Sequence, residues 1–376
     1  MKTSTKVFTI AVLIAIGAAF FFKNKGSSYQ VQIGVILPLT GPGAPYGNQV
    51  MDGINLAKNE LKKSGKFGES ELQLLVEDDK TDPAQGVSAI NKLVHANGAK
   101  VVIGALASSV TLACAPLAER EKVILLSPGS SSDEISNAGD YIFRIAPRDS
   151  YDGEFLAKAM FDKFGIKSAV ILHLNNDFGS GLMRSFTAAF AGKGGKILQT
   201  ESYSMGANDF RPQLQKLKGT PSDAVLLIAA GNENSSALKQ IKETGITGQV
   251  FAPSTLNDPK LIQEVGDAGS GVIFSASSFD GIKSQESVKD FLGAFAAMYP
   301  GKKPTTFTAY GYDSLMILVE AIKQVGNDSD KVKSFLYSMP AFSGASGQTT
   351  FDKSGDAQKE LTLFKISNGQ AQNITD

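Results

Sequence analysis

Short apolar runs alternate with helix-period segments from Val31 onward, and midway along the chain the alternation begins again. Val31–Leu37, Leu72–Asp78, Val101–Gly104 and Val123–Leu126 have the length and composition of strands buried in a parallel sheet. Helix-like stretches separate them. In Asn48–Lys62, Val50, Met51, Ile54, Ala57 and Leu61 form one apolar stripe, with Lys58, Asn59, Lys62 and Lys63 opposite. After Tyr141–Arg144 the pattern restarts, with strands expected at Ser168–Leu174, Ile197–Tyr203, Ala224–Ala229 and Gln249–Ala252. Helices are expected at Tyr151–Phe164, Ser180–Ala191, Phe210–Lys218 and Ser235–Thr244. Beyond them come a strand at Val272–Ser275, helices at Val288–Tyr299, Ala309–Val325 and Lys331–Ser338, Gly- and Ser-rich turns, and a strand at Leu361–Ile366; these late pieces suit either sheet. The pattern is α/β, with two lobes built on parallel-sheet cores.

Length agrees, since 376 residues exceed one core of usual size and suffice for two lobes of roughly 100–150 residues. Lys plus Arg and Asp plus Glu each number 37, so no basic field exists to hold a phosphate backbone, and nucleic acid is not an expected partner. The single cysteine, Cys114, sits between alanines and reads as a small buried residue. It leaves no internal disulfide. At the N-terminus, Lys2 and Lys6 precede the apolar run Val7–Phe22, and Lys23 and Lys25 follow it, as in an export signal. Sixteen helical residues at ~1.5 Å each span about 24 Å, short of the ~30 Å hydrocarbon core. Phe20, Phe21 and Phe22 stand where a cleavage site needs small residues, so residues 1–28 read either as a cleaved signal peptide or as a retained anchor, and the mature protein as periplasmic.

In an open parallel sheet, ligands bind beyond the carboxyl ends of the strands. The loop after the first strand, Pro38 to Gly47, has three glycines and loosely imitates a dinucleotide fingerprint, but Pro42 and Pro45 remove two of the amides that a pyrophosphate loop needs. A rigid loop presenting Tyr46 is the better reading. The third strand leads through Ser108-Ser109 into a helix, and the fourth ends in Ser127-Pro128-Gly129-Ser130-Ser131-Ser132. Either serine of the first pair reads as a helix cap. Side by side, however, the two loops offer hydroxyl and amide donors for a carboxylate. In the second half, Glu233 stands at a helix start, where a carboxylate is favoured with or without a ligand; it is the candidate partner of a ligand ammonium. Phe178 and Phe210 follow neighbouring strands as candidate walls.

Taken in order, Gly34-Val35-Ile36-Leu37-Pro38-Leu39-Thr40-Gly41, Ile103-Gly104, Ser108-Ser109, Ser127-Pro128-Gly129, Tyr141-Ile142-Phe143-Arg144, Asn176-Asp177-Phe178-Gly179 and Phe351-Asp352-Lys353-Ser354-Gly355-Asp356 resemble the periplasmic leucine/isoleucine/valine-binding proteins of ABC importers. The similarity runs from about Tyr29 to the C-terminus. It implies the type I periplasmic binding fold, two Rossmann-like lobes with three hinge crossings near Pro147–Asp149, Pro253–Leu256 and Ser343–Gln348. Lobe 1 would combine residues 29–147 with 254–344, and lobe 2 would combine 148–253 with 345–376. The resemblance implies that Ser108 and Ser131 bind a ligand carboxylate with help from the Gly129 backbone, that Glu233 takes the ammonium, and that Tyr46, Phe178, Phe210 and Phe279 are aromatic walls. Ser131 replaces a usual threonine, and Phe178 and Phe210 stand where tyrosine is frequent, which implies a more apolar pocket.

The expected function is extracytoplasmic capture of an amino acid, branched-chain or otherwise hydrophobic, by a monomer that hands it to a membrane permease. No cofactor, metal or catalytic residue is expected, because His95 and His173, the only histidines, belong to no triad or metal-ligand pattern. A sensor or receptor domain of the same fold for amides or aromatic acids is the alternative.

Overall fold

The computed structural model describes residues 31–65, 71–277 and 285–374. The expected leader at residues 1–28 and Phe279 lie outside the described residues.

Five strands form the first sheet: β1 (Val31–Leu37), β2 (Leu72–Asp78), β3 (Val101–Ile103), β4 (Ile124–Ser127) and β5 (Ile142–Arg144), all parallel in the order β2-β1-β3-β4-β5. β1 is buried along nearly its whole length, as the apolar run requires. Around this sheet lie α1 (Ala44–Lys63), α2 (Pro83–Asn91) and α3 (Ser108–Arg120). α1 starts with Pro45 in its first turn, where the missing N–H costs nothing. Its stripe Val50, Ile54, Ala57 and Leu61 is buried in the core beneath the sheet. Removing a side chain the size of Ile54 from that core forfeits roughly 1.5–3 kcal/mol of transfer energy.

The second sheet is mixed. β6 (Ser168–Leu174), β7 (Lys196–Tyr203), β8 (Ala224–Ile228), β9 (Gln249–Ala252) and β10 (Ile273–Ala276) are parallel, whereas β13 (Thr362–Ser367) and β14 (Gln370–Asn373) are antiparallel additions, giving β14-β13-β10-β9-β8-β6-β7. Its helices are α4 (Asp149–Lys158), α5 (Asp177–Gly192), α6 (Arg211–Lys218), α7 (Asn232–Thr244) and α8 (Pro259–Val265). The chain returns to the first half with α9 (Glu286–Met298), α10 (Thr306–Val325) and α11 (Ser329–Ser338), followed by a hairpin of β11 (Phe342–Gly344) and β12 (Gly347–Thr349).

Two boundaries differ from the sequence expectation. Residues 254–277 do not join the first half: β10 pairs with β9, and Leu261, Val265, Phe274 and Ala276 share a core with Leu227 and Ala252. The return to the first half therefore lies between β10 and α9, not near Pro253–Leu256. Likewise residues 345–357 stay with the first half. Asp313 of α10 accepts the amides of Ala345 and Ser346, Phe351 and Ala357 pack in the first core, and buried Arg144 pairs with Asp356 at 2.6 Å. The last passage falls between Ala357 and β13, around Lys359, whose buried ammonium donates to Thr349 Oγ1 and Ser346 Oγ at 2.6 and 2.8 Å.

Candidate functional site

Both sheets have a point where chain order reverses, and open α/β sheets bind ligands there. In the first sheet it lies between β1 and β3, and in the second between β6 and β8. The loops leaving these four strands face one another around a single cavity of about 110 Å³, lined from both halves. A cavity of that volume suits a small solute. The halves touch across it. Tyr46 Oη donates to Thr255 O and accepts from the Gly231 amide, both at 2.7 Å, and Gln49 Nε2 donates to Asp258 at 2.5 Å. Gly231 has φ +56°, and a Cβ there would meet Pro42 O at 2.9 Å, so this approach requires glycine.

Six of the expected site residues, Tyr46, Ser108, Gly129, Ser131, Phe178 and Glu233, line this cavity. Ser108 is not the helix cap. It is the first residue of α3, with Ala107 at the cap position, and its Oγ accepts from the amides of Ser131 and Ser132 at 3.1 Å each. A hydroxyl has two lone pairs and one proton, so these bonds fill its acceptor sites and leave the O–H to donate. Asn176 caps α5 through Gly179 N at 2.8 Å and thereby sets Phe178 at the cavity edge. Glu233 lies in the first turn of α7 and its Oε1 accepts from Gly206 N at 2.8 Å. Burial raises its carboxyl above the usual range, against bonds from Gly206 and its own amide.

Tyr46 differs from a simple ligand wall. Its hydroxyl is engaged between the halves and its ring tilts onto Phe307 at 4.8 Å. Phe210 is placed elsewhere: it is 0% exposed, packs edge-on against Tyr203 at 4.8 Å and belongs to the second half's core. Its backbone shows why. Phe210, Leu214 and Leu217 follow i, i+4, i+7 spacing, so Phe210 extends the buried stripe of α6 rather than facing the cleft.

The sequence reading overlooked two acids. Asp149 and Asp152 lie one turn apart at the start of α4, both line the cavity, and they are 1% and 7% exposed. Acids in a first helical turn read as dipole partners, which hides a second role; their position directly after a change of sheet was the available signal. Asp149 donates its amide to Ser131 O at 2.7 Å, and its buried Oδ2 has no hydrogen-bond partner. Gly181 of α5 adjoins that oxygen, which a Cβ would meet at 2.8 Å. Burial holds Asp149 well above the usual carboxylate range, with Asp133 and Asp152 adding to the rise, and the Ser131 bond and Arg144 opposing it. Burial likewise pushes Asp152 up to about 6, against the bond from Ser275 Oγ.

Neither histidine lines the cavity: His95 is exposed, and His173 is buried in β6 with its ring held to Leu174 O. Cys114 is buried, with its thiol pushed up to about 12 by burial. Among the described residues no group of His, Cys, Asp and Glu is arranged to hold a metal ion, and no helix is long and apolar enough to cross a membrane.

Comparison with known proteins agrees with this architecture. Leu/Ile/Val-binding protein homolog 1 of Brucella abortus is 27% identical over 360 residues, covering 94% of this chain and 93% of its own. The crystal structure of the leucine binding protein LivK of Thermotoga maritima superposes with a TM-score of 0.86 at 27% identity, over 92% of this chain and 97% of that one. A solute binding protein of an ABC transporter from R. palustris, solved in complex with benzoate, shares the fold at a TM-score of 0.85 and 21% identity, over 92% and 96% of the two chains. The family model described as periplasmic binding protein matches residues 30–371. The chain therefore belongs to the periplasmic binding proteins of type I fold, a family of solute-binding proteins and not of enzymes.

Proposed function

We propose that this chain is an exported solute-binding protein that holds a small amino acid between its two halves and presents it to the permease of an ABC importer. One observation carries the reading: a single cavity joins a hydroxyl with an available proton, Ser108, to buried carboxylates, Glu233 and Asp149, that can face a cation. Such a site suits a zwitterion. The Ser108 hydroxyl and the amides at the start of α3 would hold the carboxylate, and the acids would hold the ammonium. The branched-chain ligands named for the Brucella and Thermotoga relatives support a solute of that size. The ligand favours closure only through contacts that the open form lacks, and the bonds of Tyr46 and Gln49 across the cavity are those that closure would form. The permease would then read the closed shape.

Thermal-shift screening tests this, because a solute that binds only the folded state stabilises it by RT ln(1 + [L]/Kd). Neutral amino acids should raise the melting temperature. Glu233→Ala should remove the effect, since an unpaired desolvated ammonium costs about 2–5 kcal/mol. A second reading, an aromatic carboxylate, is favoured by the Phe178, Phe307 and Tyr310 rings on the cavity and by the benzoate of the R. palustris protein. Stabilisation by benzoate and by no amino acid would replace the first reading with the second.

A further inference from the structure

We propose that the solute's ammonium displaces a proton from Asp149, so that the cleft captures an amino acid with release of a proton to the solvent. The inference rests on the amino-acid reading above and deepens it, by naming the acid that changes state on binding. Asp149 is 1% exposed, lines the cavity, and leaves its Oδ2 without a hydrogen-bond partner. A buried carboxylate stays ionised only where donors or a cation replace the water it has lost; otherwise it keeps its proton.

Neither replacement is present at Asp149. None of the described residues lining the cavity is Lys, Arg or His. Arg144 of β5 is committed elsewhere: its Nε donates to Asp356 Oδ1 at 2.6 Å, and its two terminal nitrogens donate to Ser132 O and Ser136 Oγ at 2.7 and 2.6 Å. Arg148 Nε lies 3.8 Å from Asp356 Oδ2, and Arg184 of α5 pairs with Glu134. The other charges around Asp149 are acids that have donors of their own. Asp133, after β4, accepts from Ser150 N and Oγ at 3.3 and 2.6 Å and from Ser185 Oγ at 3.1 Å. Asp152, one turn along α4, accepts from Ser275 Oγ, and Glu233 of α7 accepts from Gly206 N. Those bonds sustain the neighbours' charge, so Asp149 is the member that keeps a proton. In agreement, burial first, then Asp133 and Asp152, hold its carboxyl well above the usual range.

An ammonium entering the cavity brings both missing partners, a positive charge and N–H donors. Asp149 then ionises: its O–H bond breaks, the proton passes to water before the halves close, and the ammonium keeps its own protons. Affinity therefore rises by about tenfold per pH unit wherever Asp149 is protonated in the free protein and ionised in the complex, and it levels off above that window. Capture is favoured near neutrality and release in acid.

Calorimetric titration of leucine and threonine into the full chain at pH 7, in phosphate and in imidazole buffer, counts the protons, because the two buffers differ in the heat of taking one up. That pH lies above the value of about 6 for Asp152, which therefore contributes little. The wild type should release about one proton per amino acid bound. Asp149→Asn should release none and bind at least tenfold more weakly, and Asp149→Glu, which keeps a carboxyl, should restore the release. Infrared difference spectra of the wild type should show a protonated carboxyl lost on binding, a readout that needs no variant and covers the case in which the substituted proteins do not fold. Binding without proton release in the wild type, or equal release from Asp149→Asn, overturns the inference while leaving the amino-acid reading intact. If neither amino acid binds and benzoate does, both fall together.

Discussion

Asp152→Asn should make the ligand-free protein more stable at neutral pH and leave its stability unchanged in acid. Burial raises the folded-state carboxyl from 3.8 to about 6, so between those values the folded protein binds more protons than the unfolded chain. Stability therefore falls as pH rises through that window. The penalty is absent below the unfolded value and complete above the folded one. Two pH units at about 1.36 kcal/mol each give about 3 kcal/mol, which the uncharged amide does not incur. With ~2.1 cal/mol/K of unfolding entropy per residue for a chain of this length, that corresponds to a melting-temperature gain of about 4 °C. The assay is differential scanning calorimetry of both proteins at half-unit steps from pH 4 to pH 8. The gap between them should be near zero at pH 4 and open through pH 4–6, and it should not shrink above pH 7, where loss of the Asp152 charge also lowers the Asp149 carboxyl. Asp79, fully buried and also raised to about 6 by burial, adds a pH dependence of the same sign to both proteins, so the difference between them is the diagnostic quantity. A gap of constant size across the range, or a wild type more stable than the variant at pH 8, would refute the reasoning.

Two other substitutions separate packing from binding. Phe210→Ala removes a ring fully enclosed with Tyr203, Leu214 and Leu217, and should cost about 3–5 kcal/mol in denaturant unfolding while leaving the order of ligand preferences unchanged. A changed order would return Phe210 to the site. Tyr46→Phe deletes the hydroxyl that bridges Gly231 and Thr255, leaving the buried Gly231 amide without that acceptor; ligand affinity should fall about 5- to 150-fold, at about 1–3 kcal/mol for the unsatisfied group, with little change in selectivity. Unchanged affinity would show that the bridge is equally present in the ligand-free open form.

Much of the architecture was legible because strands buried on both faces must be apolar throughout. β1, β6 and β8 stand out from their surroundings for that reason. The hairpin Phe342–Thr349 was not legible: its strands are three residues each, rich in Gly and Ser, and Asp313 and Lys359 fix them through bonds between residues distant in sequence. The division of the chain between halves failed for a related reason. Ile273–Ala276 has the composition of a strand for either sheet, and only its pairing with β9 and β13 assigns it. At the cavity, Ser108, Ser131 and Glu233 were approachable because loops at strand ends carry function and small hydroxyl residues cluster there. Phe210 misled because an aromatic residue just before a helix reads the same whether it faces a cleft or continues a buried stripe. Asp149 and Asp152 escaped because their burial comes from β10, α5 and α10, elements the local sequence does not announce.

The most direct test is a crystal structure of the protein with the amino acid that stabilises it most. The predicted complex places the solute between the two halves, its carboxylate within hydrogen-bonding distance of Ser108 Oγ and its ammonium against Glu233 or Asp149. A solute bound outside this cavity, or one lying in it with its carboxylate turned toward Glu233, would contradict the account.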